Sequence, residues 1–318
     1  MSRCTWLVAF CGCVAAPAAA QQRYVVSDSV IAAAAAAVVQ NAEGCAAEWP
    51  GYWHAGKPFG LTRREDSSVF VYLPAPPAGF QPVREGGVPR ALRGSWYVRR
   101  LPAAEFRATD FHFRIGKTPV PLVMPFSLIL WHNVDALYYY AFRQYQEEKF
   151  APLPGGIAVF AAAASPVTLS VPVDEFESLA NAERQTLSAA LAAPSPDSLH
   201  ALLQRYLDMR RRRTAMAPDA QPYERYEERI QGMAGFAARR CAALATGAGP
   251  EWARALFSQI LTTPVRALEN RKVYRGRAYA VGAALGLLLD DLRVPGWRAA
   301  VEAGAALDDL LAAAVDGR

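Results

Sequence analysis

Histidine is scarce in this chain. The four histidines are His54, His112, His132 and His200, and no two of them stand at HxH or HxxxH spacing. That excludes a zinc site built on a histidine pair from one helix face. No CxxC pair occurs, so a cysteine-pair metal motif is excluded as well. Also missing are GxSxG, which would expose a catalytic serine, and the glycine loops that cradle phosphates, GxGxxG and GxxxxGK followed by Ser or Thr. Ser165-Pro166, Ser195-Pro196 and Gly155-Gly156 read as turns instead. Charge of one sign is not in excess: 34 Lys and Arg face 29 Asp and Glu, for a formal net charge of +5. The densest basic run, Arg210 to Arg213, follows an apolar-periodic stretch and has no interleaved aromatics. It predicts a solvated helix face or helix end, not a nucleic-acid patch. Glu147, Glu148, Glu224, Glu227 and Glu228, with basic neighbours, are likewise expected to be solvated helix charges.

What is present begins with an export signal. Arg3 is a minimal basic region, Thr5 to Ala16 is apolar but short, and Ala18-Ala19-Ala20 offers small residues for cleavage before Gln21. Lipidation at Cys11 or Cys13 is the weaker alternative: Phe10 directly precedes Cys11 and stands three before Cys13. Past this segment no run of about 18 apolar residues follows, so no membrane span is expected after cleavage. Cleavage would leave Cys45 and Cys241, an even pair that predicts one long-range disulfide in an exported protein. Two unpaired buried thiols are the alternative. Periplasmic or secreted localisation follows from the same reading.

The 318 residues are 53% hydrophobic and 20% charged, enough for a substantial core. Ser27 to Asn41 predicts an alanine-rich helix capped by Ser27 or Asp28, ended by the turn chemistry of Trp49-Pro50-Gly51. Lys57 to Pro125 predicts a small sheet of three to five strands. Ser68–Leu73, Ser95–Val98, Asp110–Arg114 and Pro119–Met124 are its strand signals. From Ser127 the pattern is helical, in segments near 127–150, 172–193, 196–213, 222–245, 251–261, 273–292 and 296–315; residues 157–162 add one possible strand. The expected class is therefore α+β: signal peptide 1–20, an N-terminal helix and small sheet over 21–125, and a helical region over 126–318. A single continuous core across the last two is expected.

One helical stretch carries a resemblance. Ala136 to Phe150 reads Ala-Leu-Tyr-Tyr-Tyr-Ala-Phe-Arg-Gln-Tyr-Gln-Glu-Glu-Lys-Phe. It resembles the active-site helix of a family of exported gluzincin-like metallopeptidase homologues, where an apolar run enters a His-Glu-x-x-His motif followed by a Gln-Tyr-Gln tail. Gln144-Tyr145-Gln146 matches the tail. The motif itself has become Tyr139-Tyr140-Ala141-Phe142-Arg143. In the family, two histidines four apart share a zinc ion and the glutamate beside the first activates its water. A third ligand comes from a later Glu-Gly-x-Ala element, matched here by Gln231-Gly232-Met233-Ala234. Trp49-Pro50-Gly51, Arg277 to Asp290, Pro295 to Arg298 and Gly304 to Leu311 resemble the family's remaining elements, so the likeness covers much of 41–316 in patches. It implies a gluzincin-like fold whose ligand positions Tyr139, Arg143 and Gln231, and base position Tyr140, are all altered. Tyr139 could ligate a metal only after losing its proton, and Arg143 stays cationic.

The expected consequence is a non-catalytic protein, with no metal and no cofactor, that keeps the cleft for an unidentified peptide, protein or small ligand. Two alternatives stand beside it. One is a hydrolase with a rebuilt site on His132 and Asp135, which share a helix face with Tyr139 and Arg143, or on the acids of 224–228. The other is an unrelated structural or interaction protein. His112 is expected on the polar face of a strand, His54 in a turn, and His200 exposed on a helix.

Overall fold

In the computed structural model, residues 26–84, 88–108, 112–123, 130–152, 168, 170–263, 268–269, 272–273 and 276–317 are described. Ser27 caps the first helix, its hydroxyl accepting from the amide of Val30 at 3.4 Å. This helix, α1 (Asp28–Gln40), carries the alanine run inward, with Ala34, Ala35 and Val38 fully buried. Small side chains let its backbone approach its neighbours closely. A short helix, α2 (Ala42–Glu48), follows at a 61° bend. Among the described residues no single helix is long and apolar enough to cross a membrane.

The strands are β1 (Phe59–Arg63), β2 (Ser68–Tyr72), β3 (Gln81–Pro82), β4 (Trp96–Arg100), then, after the helix α3 (Ala103–Ala108), β5 (His112–Ile115) and β6 (Thr118–Val123). They form one six-stranded sheet in the order β3-β4-β2-β1-β6-β5. All pairings are antiparallel except β1 with β6. The sheet exceeds the three to five strands expected because β1 and the two-residue β3 carry little alternation of their own. Both faces are covered: Phe59, Leu61, Phe70 and Trp96 join the main core, and Val69, Val71, Tyr97 and Leu122 pack with Phe106 of α3 on the other side. The period-2 alternation of Val69, Phe70 and Val71 serves both layers.

The helical half comprises α4 (Leu130–Lys149), α5 (Val173–Leu191), α6 (Pro196–Met216), α7 (Ala220–Glu227), a π-helical turn (Glu228–Gly232), α8 (Met233–Ala245), α9 (Pro250–Thr262), α10 (Gly276–Asp291), α11 (Trp297–Glu302) and α12 (Leu307–Asp316). Between α9 and α10 lies the two-residue hairpin β7 (Leu268–Glu269) and β8 (Lys272–Val273). The fold is thus α+β. The stretch 296–315, expected as one helix, is two, because Gly304 takes φ of 109° and turns the chain. The possible strand at 157–162 lies outside the described residues. One apolar cluster runs from Val26 through α4, α8 and α10 to Val315, joining sheet and helices. Cys45 of α2 and Cys241 of α8 are joined by a disulfide across 196 residues. Trp49 packs edge-on against Phe142, Phe236 and Trp297, and its indole donates to Glu302 at 2.6 Å.

The basic run and most of the acids correct the sequence expectation. Arg211 and Arg212 are exposed, but Arg210 and Arg213 are buried, as are Glu224, Glu227 and Glu228. Arg210 grips Glu228 with two bonds of 2.8 Å. Arg213 bonds Glu183 of α5 at 2.6 Å and Glu224 at 2.7 Å, and Arg277 of α10 reaches Glu224 at 2.5 Å. Asp308 of α12 approaches Arg210 at 3.5 Å. The acids that neutralise the arginines come from other elements, so local sequence could not show that these charges are internal. Glu147 and Glu148 are exposed, as expected.

Candidate functional site

The site is built where α4 crosses the π turn. A π turn inserts one extra residue into a helix and leaves a carbonyl without its regular partner. Here the side chain of Gln146, fully buried on α4, adds a donor to the turn: its Nε2 bonds the Ile230 carbonyl, which also accepts from the Met233 amide, at 2.9 Å and the Arg229 carbonyl at 3.4 Å. Arg143, one turn earlier, donates to Gln146 Oε1 at 2.8 Å. The i, i+3 spacing puts both residues on one face. Arg143 therefore orients the amide that clasps the turn.

The same turn presents Gln231 to α4, and the hydroxyl of Tyr139 donates to Gln231 Oε1. Burial, followed by the nearness of Tyr279, Tyr140 and Glu227 and opposed only by Arg143, raises the Tyr139 phenol well above its ordinary value. It is a protonated donor at neutral pH. Burial pulls Arg143 down from its ordinary value, while Tyr139, Tyr226 and Glu227 favour its charge. Tyr139, Tyr140 and Arg143 are half-buried, and Tyr138 points fully into the core.

Glycine permits this close crossing of π turn and α10. A Cβ on Gly282 would come within 2.2 Å of the Glu228 carbonyl oxygen, and one on Gly232 within 2.6 Å of the Gly282 Cα. Glu228, on the opposite side of the turn from Gln231, holds Arg210. The turn is thus clamped from α6, α10 and α4 together.

Three of the sequence-predicted positions meet: Tyr139 and Gln231 directly, Arg143 through Gln146. Tyr140 stacks edge-on against Tyr139 with centroids 5.3 Å apart. Glu227, one of the acids of 224–228 singled out in the sequence, also borders the site, as do Tyr226 and Tyr279, for which the sequence carries no signal beyond their apolar-periodic helices. Of the acids of 224–228, Glu224 and Glu228 belong to the internal ionic cluster, and Glu227 is the one near Tyr139. His132 and Asp135 are half-buried on the first turns of α4. Burial raises the Asp135 carboxyl, against the pull of Arg239 and His132, and its Oδ1 is enclosed without a hydrogen bond. His54 is exposed in its turn, with Nδ1 2.9 Å from the Ala55 carbonyl, and His200 is half-buried on α6, less exposed than expected. His112 opens β5.

A zinc ion does not fit the residues at the three ligand positions: a phenol engaged as a donor, a guanidinium and an amide whose oxygen is occupied. Among the described residues no group of three or more His, Cys, Asp or Glu is arranged to hold a metal ion. The chain matches no protein-family model, no curated protein and no solved structure.

Proposed function

We propose that the chain is an exported, non-catalytic relative of gluzincin-like metallopeptidases that keeps the α4–π-turn cleft to bind a peptide, protein or small ligand in the periplasm or outside the cell. One observation carries the reading. The residues at the first and third ligand positions of the resemblance, 92 apart in sequence, share a hydrogen bond, and the second is tied to the same turn. Tyr139 and Gln231 are two of the positions that the resemblance would bring together, and their contact supports the reading. The hydrogen bond also fills the space between the former ligands with a neutral pair, which suits recognition better than catalysis. Tyrosine rings beside a guanidinium and an amide offer stacking, cation–π and hydrogen-bonding contacts to a peptide segment. The disulfide agrees with an oxidising compartment.

A second reading has a specific observation behind it. The raised carboxyl of Asp135, with its Oδ1 enclosed and unbonded, beside His132 and Arg239 has the character of a general acid. Under that reading the chain is a hydrolase with a rebuilt site. Elemental analysis after zinc incubation and desalting, paired with a peptide-library digest, separates the two. The non-catalytic reading expects far less than one metal ion per chain and no cleavage. One tightly held metal per chain, or turnover lost in Asp135→Asn, would overturn it.

A further inference from the structure

A cavity lined by none of Tyr139, Arg143 and Gln231 lies between the N-terminal end of α1 and the β2–β4–β3 end of the sheet. Its volume is about 670 Å³, within the range of small-molecule sites. The walls are Ala32 of α1 and Phe70, Trp96 and Val98 of the sheet, with Phe70 and Trp96 stacked at 5.9 Å. The rim is cationic. Arg63, Arg84 and Arg100 line it against only Asp28 and Asp66.

The pairing within the rim leaves donors over. Asp66 takes two bonds from Arg63, at 2.9 and 2.8 Å, and one from Arg100 at 3.1 Å. Arg63 also pairs with Asp28, so its guanidinium is consumed locally. Arg100 spends one N–H on Asp66 and keeps its side chain 72% exposed. Arg84 is exposed and has no salt bridge to any described residue. An apolar wall beneath two underused guanidiniums selects a ligand with an apolar body and one anionic end. A carboxylate matches the fork geometry of arginine.

We infer that this cavity is a binding site for a small apolar-bodied monocarboxylate, held through Arg84 and Arg100 with its body against Trp96 and Val98. The site is independent of the reading given for the α4 cleft. Isothermal titration of the full chain with 1-naphthylacetate tests it, with the neutral isostere 1-naphthylacetamide as control. The expected result is one saturable site with Kd of about 10–100 µM. The amide is expected to bind about tenfold more weakly, and Arg84→Gln/Arg100→Gln to weaken the acid about tenfold, about 1.4 kcal/mol. Both arginines are exposed, so the variant's thermal melt is expected to match the parent's. Absence of saturable heat up to about 1 mM ligand would overturn the assignment. So would binding that neither the amide nor the double substitution weakens. A dimer seen by light scattering and dissociated by the double substitution would instead give the groove to a second copy of the chain.

Discussion

A single hydrogen bond from Tyr139 to Gln231 joins residues that the sequence separates by 92 positions. Its donor is half-buried and protonated, and its acceptor sits on a turn held by Gln146. Tyr139→Phe removes the hydroxyl and leaves the Gln231 oxygen short of a partner. Chemical denaturation is expected to show a loss of about 1 kcal/mol, near the net worth of one neutral hydrogen bond. A variant as stable as the parent would mean that the pair contributes nothing to holding α4 against the π turn. The sequence singled out Tyr139, Arg143 and Gln231 through a resemblance, and the structure brings Tyr139 and Gln231 into contact. Their mutual contacts were not legible in the sequence. Nothing in the spacing indicates that Arg143 works through Gln146, or that Glu227 and Tyr279 approach from other elements. The buried pair of Arg210 and Arg213 was misread for a related reason: two arginines three apart look solvated until Glu183, Glu224 and Glu228 are folded onto them.

At the scale of elements, the π turn decides the geometry. Periodicity predicts a helix over 222–245, and α7 and α8 occupy that span. The extra residue at Glu228–Gly232 escapes such a reading, since one inserted position shifts the apolar stripe by a fraction of a turn and leaves it recognisable. Its consequence is that Glu228 faces Arg210 while Gln231 faces Tyr139. The close crossing with α10 rests on Gly232 and Gly282. In Gly282→Ala the new methyl group would collide with the Glu228 carbonyl, which is backbone and cannot rotate away. The expected cost is about 3 kcal/mol, at the upper end for overpacking. Denaturant titration measures it, and a loss below about 0.5 kcal/mol would show that the helices part freely. The α1 helix was legible through its Ser27 cap and alanine content. The break at Gly304 was not, because alanines on both sides of it favour continuation.

For the whole molecule, sheet and helices share one core, laced by the disulfide and by the ionic cluster among α5, α6, α7, α10 and α12. Glu224 is the hub of that cluster. Burial raises its carboxyl, but Arg213, Arg277 and Arg210 outweigh burial and bring it down to about 2. Because the folded value lies below the unfolded value of about 4.3, the stabilisation it contributes is complete above that pH. It is lost as pH falls toward 2. Glu224→Gln is therefore expected to destabilise the protein at pH 7 by about 3–5 kcal/mol, leaving buried guanidiniums short of a counter-charge. Unfolding midpoints of parent and variant are expected to converge near pH 2–3; a gap unchanged with pH would assign the effect to packing instead. The composition of the chain revealed that a core of this size could form, but not that charges would lie inside it. The most direct measurement of all is the zinc stoichiometry of the variant Tyr139→His/Tyr140→Glu/Arg143→His/Gln231→Glu, with circular dichroism alongside to establish that it folds. If the cleft is that of a gluzincin-like peptidase with its ligands exchanged, the variant takes up one zinc ion per chain and the parent takes up none. A folded variant that holds no zinc would contradict that descent.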